Sequence, residues 1–195
     1  MHQLTYGDRL QALIRADGRR MKLLGHVRAL DLPDCWIGAG FVRNAVWDQL
    51  HRPQAAAQTG AETPESDVDV VWFDPARPSI ALDRDLTDRL LAAAPDVPWS
   101  VKNQARMHGR NGDAPYAGCA DALRHWPETA TAVAVRLTPE NALEILAPFG
   151  LDDLFGRLIR PTPAFRGAKL DILRQRVRDK RWLDRWPLLR VLEQG

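Results

Sequence analysis

The chain has 195 residues, of which 45% are hydrophobic, and it carries seven tryptophans. That is enough material for one domain with a substantial core. The formal net charge is only +2, so the molecule as a whole has no strong attraction for nucleic acid or an anionic membrane. The N-terminus lacks the apolar segment of a signal peptide, and no apolar run approaches the roughly 18 residues of a membrane span. These features predict a cytoplasmic domain that does not associate with a membrane.

The first part of the chain is predicted to be helical. Apolar residues recur at helical spacing between residues 5 and 30, which predicts one or two amphipathic helices, with a break expected at Asp17-Gly18. A short strand is expected at 35–37, and a helix begins after Gly40. Residues 52–65 are polar, rich in alanine and without periodicity, which predicts a flexible loop. The remaining elements are expected to be strands at 66–73, 99–104, 130–137 and 142–147, with helices at 80–94 and 119–125.

This alternation predicts an α/β (α+β) fold in which a mixed central β-sheet is flanked by helices. We expect a single domain over 1–195, with a helical N-terminal extension at 1–33 and a mixed-sheet core at 34–160. Pro161-Thr162-Pro163 is expected to stop the core, and a basic C-terminal helical extension follows at 164–195. Within it, residues 166 to about 183 are predicted to form one helix. Its basic side chains indicate either a solvated face or a contact with a polyanion such as RNA.

Two acids in the second predicted strand, at 66–73, are the main candidates for chemistry. Asp67 and Asp69 are one residue apart, and alternate residues of a strand share a face, about 7 Å apart. Carboxylates are hard oxygen ligands that suit Mg²⁺. Upstream, Gly38 and Gly40 mark a turn from a strand into a helix, where free backbone amides can bind phosphate oxygens. The sequence therefore predicts a site for a metal-bound phosphate compound.

These motifs also support a family resemblance. Gly38-x-Gly40 at a strand-to-helix turn, followed by Ser66-Asp67-Val68-Asp69-Val70, resembles the signature of the polymerase-beta-type nucleotidyltransferase superfamily. The stretches 99–108, 126–132 and 147–153 resemble a bacterial family of small, mostly uncharacterised nucleotidyltransferase-like proteins. The similarity extends from about Trp36 to the C-terminus. It implies the polymerase-beta-type nucleotidyltransferase fold, with additional helices at both ends.

The resemblance implies that a nucleoside monophosphate is transferred from a nucleoside triphosphate (NTP) to a hydroxyl acceptor. In this interpretation Asp67 and Asp69 are catalytic and hold Mg²⁺ or Mn²⁺. The acceptor is not identified and could be a small molecule, a protein or RNA. The residues expected to bind the nucleotide are Gly38, Ala39, Gly40, Arg43, Asn44 and Ser66.

One part of the superfamily's pattern is missing. A third carboxylate usually comes from the strand after the next helix, but the corresponding segment 99–104 contains no acid. Glu128, Glu144 or Asp153 could replace it in space. The alternative interpretation is a catalytically impaired nucleotide-binding or regulatory module.

A second group of polar residues follows the strand at 99–104. One interpretation is a substrate site, in which the cations meet phosphate and the amides contact a base or the acceptor. His108 as a general base is a further hypothesis. The other interpretation is a hydrogen-bonded scaffold that fixes the loop at 106–116. The residues concerned are Lys102, Asn103, Gln104, Arg106 and His108.

Overall fold

The computed structural model describes residues 4–52 and 67–192. The predicted loop from residue 53 onward, and with it Ser66, lies outside the described residues. Among the described helices, none combines the length and apolar character that a bilayer span needs. In chain order the elements are α1 (Tyr6–Ala16), α2 (Gly18–Arg28), β1 (Trp36–Gly38), α3 (Gly40–His51), β2 (Val68–Trp72), α4 (Ile80–Ala93), β3 (Trp99–Asn103), α5 (His108–Asn111), α6 (Cys119–Arg124), β4 (Ala134–Leu137), β5 (Leu143–Leu146), α7 (Asp152–Phe155), β6 (Leu158–Ile159), α8 (Leu170–Asp179), α9 (Trp182–Arg185) and β7 (Arg190–Val191).

Side-chain caps define the two N-terminal helices. At the start of α1, the Thr5 hydroxyl accepts a hydrogen bond from the Asp8 amide at 3.1 Å, and the Asp8 carboxylate accepts one from the Thr5 amide at 2.9 Å. This reciprocal pair satisfies amides that have no partner within the helix. Asp17 ends α1, and its carboxylate caps α2 by accepting from the Arg20 amide at 2.9 Å. The predicted break at Asp17-Gly18 is confirmed.

The main sheet has five strands in the order β3-β2-β1-β4-β5. Strands β2 and β3 are parallel, whereas β1 is antiparallel to both β2 and β4, and β4 is antiparallel to β5. The connection between the two parallel strands contains α4, as a parallel crossover requires. The predicted mixed sheet flanked by helices is confirmed.

The two faces of the sheet are covered unequally. On one face, Ile37, Val70, Val101 and Val135 are paired side by side and belong to the main hydrophobic core. On the other face, Trp36, Val71 and Ala134 belong to a smaller cluster that also contains Cys119 and Leu123 of α6. Because strand residues alternate between faces, the acidic side of β2 lies on the face with the smaller cluster.

The strand predicted at 130–137 begins only at Ala134. The residues before it form a turn, in which the Glu128 carbonyl accepts from the amides of Thr131 and Ala132, both at 3.0 Å. The β-branched and alanine composition of this segment favoured a strand. Local hydrogen bonds instead satisfy its backbone, so it contributes buried side chains without joining the sheet.

The single C-terminal helix predicted at 166–183 is wrong. A 3₁₀ turn at Gly167–Lys169 leads into α8, which ends at Asp179, and Arg181 then adopts a φ of 49° before α9. The core also does not stop at Pro161–Pro163. The physical reason is burial: Trp182 and Trp186 pack edge-on against Trp47 of α3, with ring centroids 5.5 and 5.1 Å away.

The last strand continues this packing. Strand β7 pairs in parallel with β6 through Leu158–Arg190 and Ile159–Val191. The Trp186 indole donates to Asp48 at 2.9 Å, which joins the same segment to α3. The basic composition of the segment did not indicate these contacts, because they are made by its aromatic and aliphatic residues.

Candidate active site

The two candidate acids lie at the start of β2. Asp67 precedes the strand and is exposed, whereas Asp69 lies within it and is half-buried. The Cα of Asp69 is paired with that of Gly38 in β1 and with that of Ser100 in β3. Residues paired across strands share a face of a sheet. Asp69 therefore lies between Gly38, which has no side chain, and the hydroxyl group of Ser100.

Burial raises the pKa of Asp69, and the charge of Asp67 raises it further. Lys102 is the strongest opposing influence, and a hydrogen bond from Ser100 and the charge of Arg43 also lower this pKa. The net direction means that the ionised carboxylate is less stable here than in water. A cation placed beside Asp69 would offset that cost.

Helix α3 begins immediately after β1, two residues from the partner of Asp69. No side chain caps its N-terminus within the described residues, and its first residues, Gly40 and Phe41, are buried. The residue before the helix, Ala39, has φ 52° and ψ −125°, a conformation that favours glycine. Its amide donates to the Val133 carbonyl at 3.2 Å. The strained turn is thus at Ala39, between the two glycines.

Gly38 is required for close packing. A Cβ at this position would lie 3.1 Å from the Trp126 ring and 3.2 Å from the Val133 carbonyl oxygen. Both distances are shorter than ordinary van der Waals contact. The indole of Trp126 therefore covers the sheet directly beside Asp69, and a side chain at position 38 would force the indole or the Val133 backbone to shift.

Arg43 points into the protein. Its side chain is 5% exposed, and the guanidinium lies over the rings of Trp182 and Trp47, at 4.3 and 5.1 Å from their centroids. It donates to the Thr131 hydroxyl at 2.8 Å and to the Asn44 side-chain oxygen at 3.0 Å. The phosphate contact predicted for Arg43 and Asn44 stays a prediction, and the observed contacts are internal.

Burial lowers the pKa of Arg43 to about 10, and Glu128 is the strongest influence that opposes this shift. The Glu128 side chain is 1% exposed and accepts a hydrogen bond from Arg176 of α8 at 2.8 Å. Arg176 in turn acts on Arg43, because its positive charge lowers that pKa further. Glu128 is therefore the main counter-charge for two arginines that come from distant parts of the chain.

The second polar group divides into two parts. Lys102 lies on the same face as Asp69, beside Val71, and its charge acts on Asp69. Gln104 donates to the Lys102 carbonyl at 3.0 Å, and His108 contacts the Ala105 carbonyl at 3.0 Å. Of the five residues predicted to contact substrate, the structure brings Lys102 close to the acids.

Asn103 binds backbone carbonyls of a neighbouring segment, and Arg106 binds a buried carboxylate. The fully buried Asn103 side chain donates to the carbonyls of Asp74 and Arg77 at 2.8 and 3.1 Å. Arg106 forms an ion pair with Asp83, which is 3% exposed and also accepts from the Trp72 indole at 2.9 Å. These contacts correspond to the scaffold that the sequence left open as the alternative.

The three candidate third carboxylates are each paired away from Asp69. Glu128 binds Arg176, Glu144 binds Arg136 at 2.7 Å, and Asp153 binds Arg160 at 2.9 Å. In the parts of the chain that the structure describes, no group of three or more His, Cys, Asp or Glu side chains is placed to hold a metal ion. In those parts of the chain, the residues near Asp67 and Asp69 are therefore Ser100 and Lys102 of β3.

Sequence reasoning missed two neighbours of Asp69. Ser100 could have been found, because a parallel pairing of β2 with β3 places a residue of β3 beside Asp69, but only an acid was sought there. Trp126 had no such signal. Its position over Gly38 depends on the turn that precedes β4, which local sequence patterns did not reveal.

The comparisons with known proteins agree with this architecture. The sequence profile of a family described as nucleotidyltransferase matches residues 25–191. An NMR structure said to reveal a CCA-adding enzyme head domain is similar to the chain, with 31% sequence identity, a TM-score of 0.79 and 95% of each chain covered. No curated protein sequence matches the chain. The predicted nucleotidyltransferase fold is confirmed.

Two more distant structures share the fold. A CCA-adding enzyme in complex with CTP has 16% identity and a TM-score of 0.59, over 94% of this chain and 43% of the enzyme. The CCA-adding enzyme of Thermotoga maritima, in complex with tRNA, has 16% identity and a TM-score of 0.58, over 95% of this chain and 42% of the enzyme. The chain spans less than half the length of these two enzymes.

Replacement of Glu128 should affect stability much more than replacement of Glu144. Glu128→Ala leaves Arg43 and Arg176 without their shared buried counter-charge, which we expect to cost about 3–5 kcal/mol in the free energy of unfolding. Glu144→Ala removes a pair whose two side chains are 44% and 37% exposed, and should cost less than about 1 kcal/mol. Urea denaturation measures both, and equal losses would contradict the assigned role of Glu128.

Ala39→Gly should stabilise the protein. Glycine adopts the conformation of Ala39 without strain, and the relief of strain should exceed the cost of the extra conformational entropy that glycine gives the unfolded chain, for a net gain of about 1 kcal/mol. The matched control is Ala45→Gly, since Ala45 lies within α3, where the same change should cost about 1 kcal/mol or more. Thermal or urea unfolding of the two variants decides the matter, and destabilisation by both would mean that the turn is not strained.

Asp69→Asn should stabilise the metal-free protein at neutral pH. The folded state holds the Asp69 proton more tightly than the unfolded state, because its pKa is raised. Wild-type stability therefore falls as pH rises from the unfolded pKa of about 3.9 through the folded pKa, and the ionised group is a net cost above that window. The gain from Asn should be present at neutral pH and should disappear as the pH falls through the folded pKa.

The measurement is urea unfolding of both proteins with a metal chelator between pH 4 and pH 8. Asp88→Asn, at an exposed position of α4, is the control and should show no comparable gain. Destabilisation by Asp69→Asn at every pH would contradict the raised pKa.

Proposed function

The chain belongs to a nucleotidyltransferase family, and we propose that it transfers a nucleoside monophosphate from an NTP to a hydroxyl acceptor. Mg²⁺ or Mn²⁺ would be held by Asp67 and Asp69, which supply the hard oxygen ligands that these ions prefer. The observation that carries the proposal is the half-buried Asp69, whose pKa is raised by burial, beside an α3 N-terminus that no described side chain caps. Together they favour a cation next to phosphate groups.

Each residue has a defined part in this proposal. The amides of Gly40 and Phe41 would bind phosphate oxygens, since helix N-termini attract anions. Lys102, on the same face as Asp69, would contribute a positive charge near the leaving group. A bound divalent ion would polarise the α-phosphate and help the pyrophosphate to leave.

The bond changes in the transfer balance without a further reactant. The acceptor oxygen forms a bond with the α-phosphorus, the bond from that phosphorus to the bridging oxygen breaks, and pyrophosphate departs. The proton of the acceptor hydroxyl is passed to Asp67. This residue is exposed and can transfer the proton to water. Serine in place of an acid at position 100 supports a slower proton removal than three carboxylates would give.

The second candidate function is a nucleotide-binding module without turnover. It is favoured by the side chains next to Asp69 on β3, a hydroxyl at Ser100 and an amine at Lys102, neither of which replaces a third carboxylate. The acceptor class in the first proposal stays open among a small molecule, a protein and RNA. The relatives in complex with CTP and tRNA are more than twice as long as this chain and are consistent with either function.

The first test is calorimetric titration of ATP, GTP, CTP and UTP, with and without Mg²⁺. We expect at least one NTP to bind only with Mg²⁺, and Asp67→Asn/Asp69→Asn to weaken that binding about 100-fold, since two charged ligands are lost. Asp88→Asn is the control and should bind as the wild type does. If no NTP binds to the wild type, both candidate functions are wrong.

Release of pyrophosphate then separates the two functions. Slow pyrophosphate formation with water or a mixed pool of hydroxyl compounds, abolished by Asp69→Asn, identifies a transferase. Tight binding with no pyrophosphate from any pool favours the module.

A further inference from the structure

Lys102 of β3 lies on the same face of the sheet as Asp69. The Cα of Asp69 is paired with that of Ser100, and the Cα of Val71 with that of Lys102. Paired residues share a face, and residues two apart along a strand share it as well. On the acid-bearing face, β3 therefore presents first a neutral hydroxyl and then a lysine.

The charge of Lys102 acts on Asp69 in the metal-free protein. Burial raises the pKa of Asp69, and Lys102 is the strongest of the influences that lower it. The lysine is half-buried, so water and salt screen this interaction less than they would at an exposed position. Lys102 is therefore an internal counter-ion for the acid.

Arg43 also acts on Asp69 as a positive charge, but its contacts are internal. Its guanidinium lies 4.3 Å from the centroid of the Trp182 ring, and Glu128 is its main counter-charge. In the described parts of the chain, by contrast, the Lys102 ammonium forms no hydrogen bond or ion pair. It can turn toward a bound phosphate without breaking such a contact, whereas Arg43 would have to leave its internal partners.

The groups on this face limit how many metal ions it can hold. Two divalent ions in one site lie about 3.5–4 Å apart and repel each other, and carboxylates around both ions have to offset that repulsion. Here β3 contributes a hydroxyl at Ser100 and a positive charge at Lys102, and neither offsets it. Asp67 and Asp69 suffice for one ion, since Mg²⁺ commonly uses one or two carboxylates together with the phosphates of its substrate.

We propose that the site binds a single divalent ion with the NTP, and that Lys102 takes the place of a second ion by binding oxygens of the triphosphate. The inference rests on the proposed function, in which Asp67 and Asp69 hold the ion. Before the NTP binds, the ammonium offsets the charge of Asp69. In the complex the ion offsets that charge, and the ammonium is available to the phosphate.

The first test counts the ions. Mn²⁺ is titrated into the full chain together with the α,β-methylene analogue of whichever NTP binds in the calorimetric titration, and unbound Mn²⁺ is measured by electron paramagnetic resonance. We expect one tightly bound Mn²⁺ per complex of protein and nucleotide. Two tightly bound ions would overturn the inference and leave nucleotidyl transfer intact, whereas failure of every NTP to bind would overturn both.

Lys102→Gln separates a lysine that binds substrate from one that is only structural, because two affinities should change in opposite directions. Without nucleotide, Mn²⁺ binding should tighten about fivefold, since the repulsion between the ammonium and the ion is lost. Binding of the nucleotide analogue with Mn²⁺ should weaken about tenfold, since a charge-assisted hydrogen bond to phosphate is lost. If both affinities weaken, or neither changes, the inference is wrong.

Two control variants accompany this measurement. Lys102→Arg retains the positive charge and should restore the weak binding of Mn²⁺ without nucleotide. Lys22→Gln, at an exposed position of α2, removes the same charge elsewhere and should leave both affinities unchanged. Equal changes in Lys22→Gln and Lys102→Gln would show that only the net charge of the protein matters, which contradicts the role assigned to Lys102.

The double variant Ser100→Asp/Lys102→Gln tests the number of ions from the other direction. It supplies a carboxylate where β3 has a hydroxyl, and it removes the positive charge, so the complex should take up a second Mn²⁺. Thermal unfolding establishes that the variant is folded. A folded variant that still binds one ion would show that these two positions do not set the number, and the inference would fail.

Discussion

The guanidinium of Arg43 joins three parts of the chain that are far apart in sequence. It belongs to α3, donates to Thr131 in the turn before β4, and lies over Trp182 from α9. A charge 5% exposed is tolerated only when other charges and hydrogen bonds compensate it. Glu128 supplies the charge, and Glu128 is in turn held by Arg176 of α8. The C-terminal segment is therefore needed for the packing of α3.

This buried network explains how the start of α3 is kept in place beside β2. Ala39 precedes the helix in a strained conformation, so the turn persists only if both sides are fixed. On one side the Ala39 amide is bonded to Val133, and on the other the Ala39 carbonyl accepts from the amides of Val42 and Arg43, the latter at 3.0 Å. Because Val133 follows the turn that contains Thr131, the same segment holds the turn and the buried guanidinium.

Features set by local patterns could be predicted from the sequence, and features set by long-range contacts could not. Helical periodicity and the break at Asp17-Gly18 located α1 and α2, and the alternation in β2 placed Asp69 on the face opposite the valines of the main core. The inward direction of Arg43 could not be predicted, because a basic residue in the first turns of a helix is usually exposed. Its compensating charge comes from Glu128, more than 80 residues away in the chain.

The polar residues after β3 also show that long-range contacts cannot be predicted from the sequence. Asn103 and Arg106 looked available for a substrate, because a strand seldom ends in so many polar groups. Their partners are the backbone of Asp74 and Arg77 and the buried Asp83. A sequence does not reveal whether a polar group is already satisfied, since the partners lie in other elements.

The charges around Asp69 give a physical account of the acid that is missing from β3. Burial and the charge of Asp67 already raise the cost of ionising Asp69, and Lys102 from β3 is the strongest influence that offsets it. A third carboxylate at the Ser100 position would repel the ionised Asp69, which burial already disfavours. Under the proposed function, two acids and a lysine would attract a free divalent ion only weakly, and the ion would bind mainly together with the phosphates of the NTP. Mg²⁺ commonly binds in this way, through one or two carboxylates and the phosphates of its substrate.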